Sequence, residues 1–139
     1  MALKRCLTSH VKERRKAKDA LATDRKTLPV DEKTAAKNSK GKLDVKIALG
    51  YHSLGDWAKA HEIAQCGLTK GGVKRVDDVE LLTGSALVEL ARYADAKAAF
   101  ERAAAGAAPG SYMARLARLW SAYVDRLAPP VPAAPAPTT

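Results

Sequence analysis

"LGDWAKAHEIAQCGL", residues 54–68, decides how this chain folds. It opens with Gly55-Asp56, a pair suited to end one helix and cap the next. Trp57, Ala60, Ile63, Ala64 and Leu68 then recur at helical spacing, which predicts a turn followed by a helix over about Trp57 to Leu68. Residues 90–104, "LARYADAKAAFERAA", align with it without gaps: Leu54 falls on Leu90, Trp57 on Tyr93, Ala58 on Ala94 and Ala60 on Ala96. The copies begin 36 residues apart, at 54 and 90, and each follows another helical stretch. Such a repeat predicts helical hairpins stacked side by side, because one hairpin cannot bury its apolar face alone and about three units are needed.

Outward from the repeat, the pattern stays helical. Leu43, Ile47, Tyr51 and Leu54 share one face of the helix before the first copy. Asn38 to Gly41 and Thr69 to Gly72 read as loops, and Asp77 or Asp78 is the expected cap of a helix burying Val79, Leu82, Ala86 and Leu90. Tyr93, Ala96, Phe100, Ala103 and Ala104 line the next helix, which Ala108-Pro109-Gly110 ends. A final helix, Ser111 to Leu127, is expected to bury Met113, Leu116, Trp120 and Val124. At the other end, Leu3, Leu7, Val11, Ala17 and Leu21 form an apolar stripe on a basic helix. Thr27-Leu28-Pro29 predicts a break there, since proline disfavours helix in the residue before it, with a short helix restarting at Asp31 as cap. The organisation expected is a basic helical segment at 1–42, repeats with a capping helix at 43–127, and a Pro/Ala-rich tail at 128–139. No strand pattern appears, and the expected fold is all-α, an α-α superhelix.

The repeat resembles the tetratricopeptide family, whose usual period is about 34 residues. The family's aliphatic–glycine pair followed by an aromatic residue corresponds to Ile47-Ala48 with Tyr51, and to Thr83-Gly84 with Leu87. Its alanine early in the second helix falls on Ala60 and Ala96, its large residue four further on falls on Ala64 and Phe100, and Trp57 and Tyr93 match the preceding aromatic. Departures are Asp44 and Glu80 at the family's early tryptophan, and Gly72 and Ala108 at its closing proline. The match covers residues 43–105, and 1–42 fits only as a degenerate pair of helices. The resemblance implies a non-enzymatic module that binds a protein or peptide in a groove lined by the first helix of each hairpin. Carried over residue by residue, that groove comprises Lys42, Val45, Leu49 and His52 from one unit and Asp78, Leu81, Ser85 and Val88 from the next. One family subtype clamps acidic chaperone C-termini with a lysine and an asparagine; those positions hold Val45 and Leu49, so that subtype is not expected.

Composition points the same way. The chain has 139 residues, 47% of them hydrophobic, but only seven aromatic, so close alanine-lined helix contacts are favoured over a large aromatic core. Its +9 charge is concentrated: residues 1–43 carry 13 Lys and Arg against 5 Asp and Glu, and the remainder carries 11 against 10. Nucleic-acid binding through the helix at Lys4 to Lys18 is the alternative reading, and a structural C-terminal cap of a longer solenoid is another. No aromatic residue before Tyr51 is available to stack on a base, which makes a solvated basic face the better expectation. The helix-like start suggests a piece of a longer protein. No segment is apolar enough for a membrane span or a secretory signal, so the cytoplasm is the default expectation.

His61, Glu62 and Cys66 raise the question of a chemical site inside the opening stretch. His61 and Cys66 are five residues apart, about 140° around a helix, so their side chains diverge. The chain contains no HExxH, CxxC, P-loop or GxGxxG motif. Cys6 and Cys66 define no disulfide framework, and His10 and His52 are remote from Cys66 in sequence. No catalytic residue, metal, cofactor or small-molecule substrate is expected.

Overall fold

The computed structural model describes the backbone of residues 2–129 and the side chains of residues 12–129. Six helices follow one another: α1 (Ala2–Ala36), α2 (Lys42–Leu54), α3 (Trp57–Lys70), α4 (Val76–Glu89), α5 (Tyr93–Gly106) and α6 (Tyr112–Leu127). There is no strand among the described residues. Helices α2 and α3 form one hairpin, α4 and α5 the next, and α6 packs on α5, so the molecule is an all-α stack of hairpins.

The turns follow the local chemistry. Gly55 takes the left-handed conformation (φ 78°) that closes α2, and the Asp56 side chain accepts a hydrogen bond from the Lys59 N–H (3.2 Å) to cap α3. The equivalent turn of the second unit puts Ala91 at φ 57°, a conformation that costs a residue with a Cβ about 1 kcal/mol or more. Ser111 caps α6 through the Ala114 N–H. The cap expected from Asp77 or Asp78 is not formed. Arg75 occupies the cap position, and both aspartates lie in the first turn, where Asp78 pairs with Arg75 at 2.7 Å and favours the positive end of the helix dipole.

The break expected at Thr27–Pro29 is also absent, and Asp31 is internal to α1 rather than a cap. Proline removes one helical hydrogen bond, a cost of about 3 kcal/mol in a helix interior. Leu28 and Ala35 are buried against α2 on either side of it, and that burial offsets the loss. The expected apolar stripe does not continue as packing: Ala17 is exposed, Leu21 is half-buried, and every residue from Lys12 to Ala20 is exposed. The side chains of Leu3, Leu7 and Val11 lie outside the described residues, as do residues 130–139 of the Pro/Ala-rich tail.

The core lies between the helices of each hairpin and between successive hairpins. Ile47, Tyr51 and Ala60 meet Leu28, Ala35 and Ala86, while Ala48, Ala64 and Val79 form a second cluster. Phe100 is fully buried with Leu87, Ala96, Ala99 and Val124. Ala48 and Gly84 allow the paired helices to touch: a Cβ added to Gly84 would sit 2.5 Å from the Phe100 ring. The carboxylates of Asp44 and Glu80 are buried and paired with cations. Lys70 Nζ donates to Asp44 at 2.9 Å and also to the Ala35 carbonyl, and Arg102 makes a two-pronged contact with Glu80 at 2.9 and 3.0 Å. A third tie joins α1 to the first hairpin. Glu32 accepts from Tyr51 Oη and from Lys59 Nζ (2.9 Å). Burial pushes the Glu32 carboxyl up, but those two hydrogen bonds and the Lys59 charge together outweigh it and hold the group below its ordinary value.

Candidate partner groove

Helices α2 and α4 lie side by side and present a concave face between them. Val45, Leu49 and His52 come from α2 and Asp78, Leu81 and Ser85 from α4, and Trp120 of α6 closes one side of a cavity of about 550 Å³. Six of the eight residues assigned from the sequence therefore meet in one place. Lys42 lies one turn before Val45, in a neighbouring depression with Lys40 and Lys46. Val88 packs instead against the Phe100 cluster. Val79 and Leu82, expected as core, also contribute to the wall.

No described residue of α1 lines this cavity. Helix α1 packs on the other flank of α2, leaving a separate cleft of about 400 Å³ with Asp24, Asp31 and Lys46 at its edges. Leu49 stands between the two concavities and is 55% exposed. With Val45, Leu81 and Leu82 it gives the concavity a contiguous apolar lining, and such a patch, rather than one exposed leucine, marks an interaction surface.

His52 and Ser85 tie α2 to α4 across the groove, with Nε2 and Oγ 2.8 Å apart. Ser85 Oγ also lies 2.8 Å from the Leu82 carbonyl, which can only accept, so the hydroxyl proton goes there and His52 Nε2–H donates to Oγ. Burial pushes the His52 pKa down, against a smaller opposing effect of Glu89, and keeps the ring neutral at pH 7. Trp57 supports it edge-on at 4.9 Å. With its proton committed to Leu82, Ser85 is not held as a nucleophile by this histidine.

His61, Glu62 and Cys66 line a shallow depression on α3 with Gln65, Thr69 and Lys70. Cys66 is exposed, and His61 Nδ1 is buried without a hydrogen-bond partner. Among the described residues no cluster of three or more His, Cys, Asp or Glu has metal-binding geometry, and no helix is long and apolar enough to cross a membrane.

One surface is not anticipated by the sequence. Leu116, expected in the core, is only half-buried, and with Leu119, Trp120 and Tyr123 it lines a shallow pocket on the open side of α6. Leu119 is 68% exposed and Tyr123 49%. Trp120 stacks on Phe100 (5.5 Å, 17°) and meets Tyr123 edge-on (5.8 Å), so one side chain belongs to the core, the groove and the α6 face together. The helices also correspond in register. Leu82 and Ala86 of α4 face the preceding hairpin as Trp120 and Val124 of α6 do, and this register places Leu116, Leu119 and Tyr123 where Asp78, Leu81 and Ser85 line the groove. The sequence signal was available in the surplus of large apolar residues on α6, more than one packed face can use.

Comparison with family models, with curated proteins and with solved structures finds no match to this chain.

Proposed function

We propose that this chain is a non-enzymatic, tetratricopeptide-like helical-repeat module that binds a segment of another protein in the concave face of α2, α4 and α6. The observation that carries the reading is the apolar concavity around the exposed Leu49, with no described residue of α1 in it. An amphipathic helix laid into such a groove buries its apolar stripe without requiring any rearrangement of the repeats. The exposed face of α6 favours binding over a purely structural cap, because a helix that only ends a stack carries a polar outer surface.

The test is a selection from a random peptide display library on the immobilised protein. Peptides that bind are expected to lose affinity on Leu81→Arg, in the groove, and to be unaffected by Glu62→Arg on α3. A set of binders indifferent to Leu81→Arg, or no binders at all, overturns the reading. Titration of a labelled oligonucleotide at two salt concentrations separates it from recognition through the basic α1, which requires affinity that falls steeply with salt.

A further inference from the structure

The groove does not end at Trp120, and the charges beside it are not balanced. The apolar surface runs from Val45 and Leu49 on α2, past Leu81 on α4, over Trp120, to Leu119 and Tyr123 on α6. At packed-helix spacings of roughly 8–10 Å, three helices span about 16–20 Å, the length of about 11–13 helical residues. Lys42 stands one turn before Val45, and Arg115 and Arg126 lie within one turn of Leu119 and Tyr123, whereas Lys46 lines the cleft on the other flank of α2. Lys42, Arg115 and Arg126 are in no ion pair among the described residues. Of the carboxylates near the band, Asp78 is held by Arg75 and Asp125 by Lys97 at 2.6 Å, which leaves Glu89, the carboxylate that acts on His52, as a single negative charge against these cations. Asp24 and Asp31 belong to the cleft on the far flank of α2.

We infer that the occupant of this surface is an acidic amphipathic helix of another protein, with apolar side chains along the band and Glu or Asp flanking them on both sides. The inference rests on the groove reading above and adds the chemistry of the partner. Charge complementarity selects this occupant over a second copy of the chain. Self-pairing through α6 would bring Arg115, Arg118 and Arg126 of two copies together against Asp125 alone.

The experiment uses three labelled 14-residue helical peptides with one Leu/Phe face and with Glu, Gln or Lys at the flanking positions, followed by fluorescence anisotropy on the full chain. The Glu peptide is expected to bind about tenfold or more tighter than the Lys peptide at low salt, with the ratio shrinking as salt is raised. Arg115→Glu with Arg126→Glu should weaken the Glu peptide about tenfold and leave the Gln peptide unchanged. Leu119→Asp should weaken all three, with circular dichroism confirming that the fold is retained. A Glu peptide no tighter than the Lys peptide overturns the inference. If the Gln peptide still binds and is lost on Leu81→Arg, the groove reading stands while the charge assignment falls. Binding by none of the three overturns the inference, and the display selection then decides the groove reading separately. Sedimentation of the chain alone should show a monomer. A dimer dispersed by Leu119→Asp would assign the face to a second copy and overturn the proposal.

Discussion

Replacing Gly84 by alanine sets two known effects against each other at a close contact between α4 and α5. The added Cβ would lie 2.5, 2.7 and 2.8 Å from three carbons of the Phe100 ring, where carbon atoms prefer about 3.5–4.0 Å. The ring has to retreat by about 1 Å to restore a normal contact. It has nowhere to go, being fully buried among Leu87, Ala96, Ala99 and Val124 and stacked on Trp120. Overpacking of this kind costs about 1–3 kcal/mol, and three overlapping ring atoms place it near the top of that range. Alanine recovers about 1 kcal/mol over glycine inside a helix. The net expectation is a loss of about 1–2 kcal/mol, or a melting temperature lowered by about 3–8 °C. Gly106→Ala supplies the control: it is helical, has no atom within 4 Å of the added Cβ, and should gain about 0.5–1 kcal/mol. Urea denaturation followed by tryptophan fluorescence measures both, with Trp120 reporting on the contact. Adding Phe100→Leu should make the double variant cost less than the sum of the single ones. Gly84→Ala as stable as the parent protein, beside a stabilised Gly106→Ala, would refute the close contact between α4 and α5.

Other outcomes follow from individual side chains. Lys70→Ala leaves the Asp44 carboxylate, only 6% exposed, without its ion partner and should cost about 3–5 kcal/mol in urea denaturation. Thr83→Val removes a buried hydroxyl that has no hydrogen-bond partner and should be neutral or stabilise by up to about 1 kcal/mol, so a clear loss would reveal a missed partner. Leu49→Gln should change stability by less than about 0.5 kcal/mol while abolishing capture of groove-binding peptides, which separates a binding residue from a packing one. Burial holds the imidazoles of both His52 and His61 below the ordinary 6.5, with Arg92 adding to the effect at His61. The unfolded chain therefore takes up these protons first. Stability from this source is complete above pH 6.5 and is lost as pH falls through the lower folded-state values. Denaturation midpoints between pH 7.5 and 5 should fall in the parent protein and flatten in the His52→Gln/His61→Gln double variant.

The hairpin repeat and the residues at its turns were legible because they are local or periodic. Gly55-Asp56 announces a helix end and a cap in two residues, and Ala60 and Ala96 recur wherever a helix must be closely approached. The eight groove residues were an implication of the family resemblance, and six of them come together because α2 and α4 stack side by side. What the sequence did not disclose depends on contacts between distant segments. Pro29 reads as a helix breaker, yet α1 runs through it, because Leu28 and Ala35 are anchored on α2. Asp44 and Glu80 read as departures from a tryptophan pattern, and only the positions of Lys70 and Arg102 show that each carboxylate is paired across the hairpin.

Periodicity alone thus determined that the chain is a stack of helical hairpins and where each hairpin turns, since those properties follow from residues three, four and 36 apart. Tertiary structure alone decided which apolar residues are core and which are surface. Leu116, Leu119 and Tyr123 belong to the same helical pattern as Val124 and Trp120, but no further helix among the described residues covers their side of α6. A hydrophobic stripe records that a helix has faces to bury; only the packed neighbours determine which face is left open.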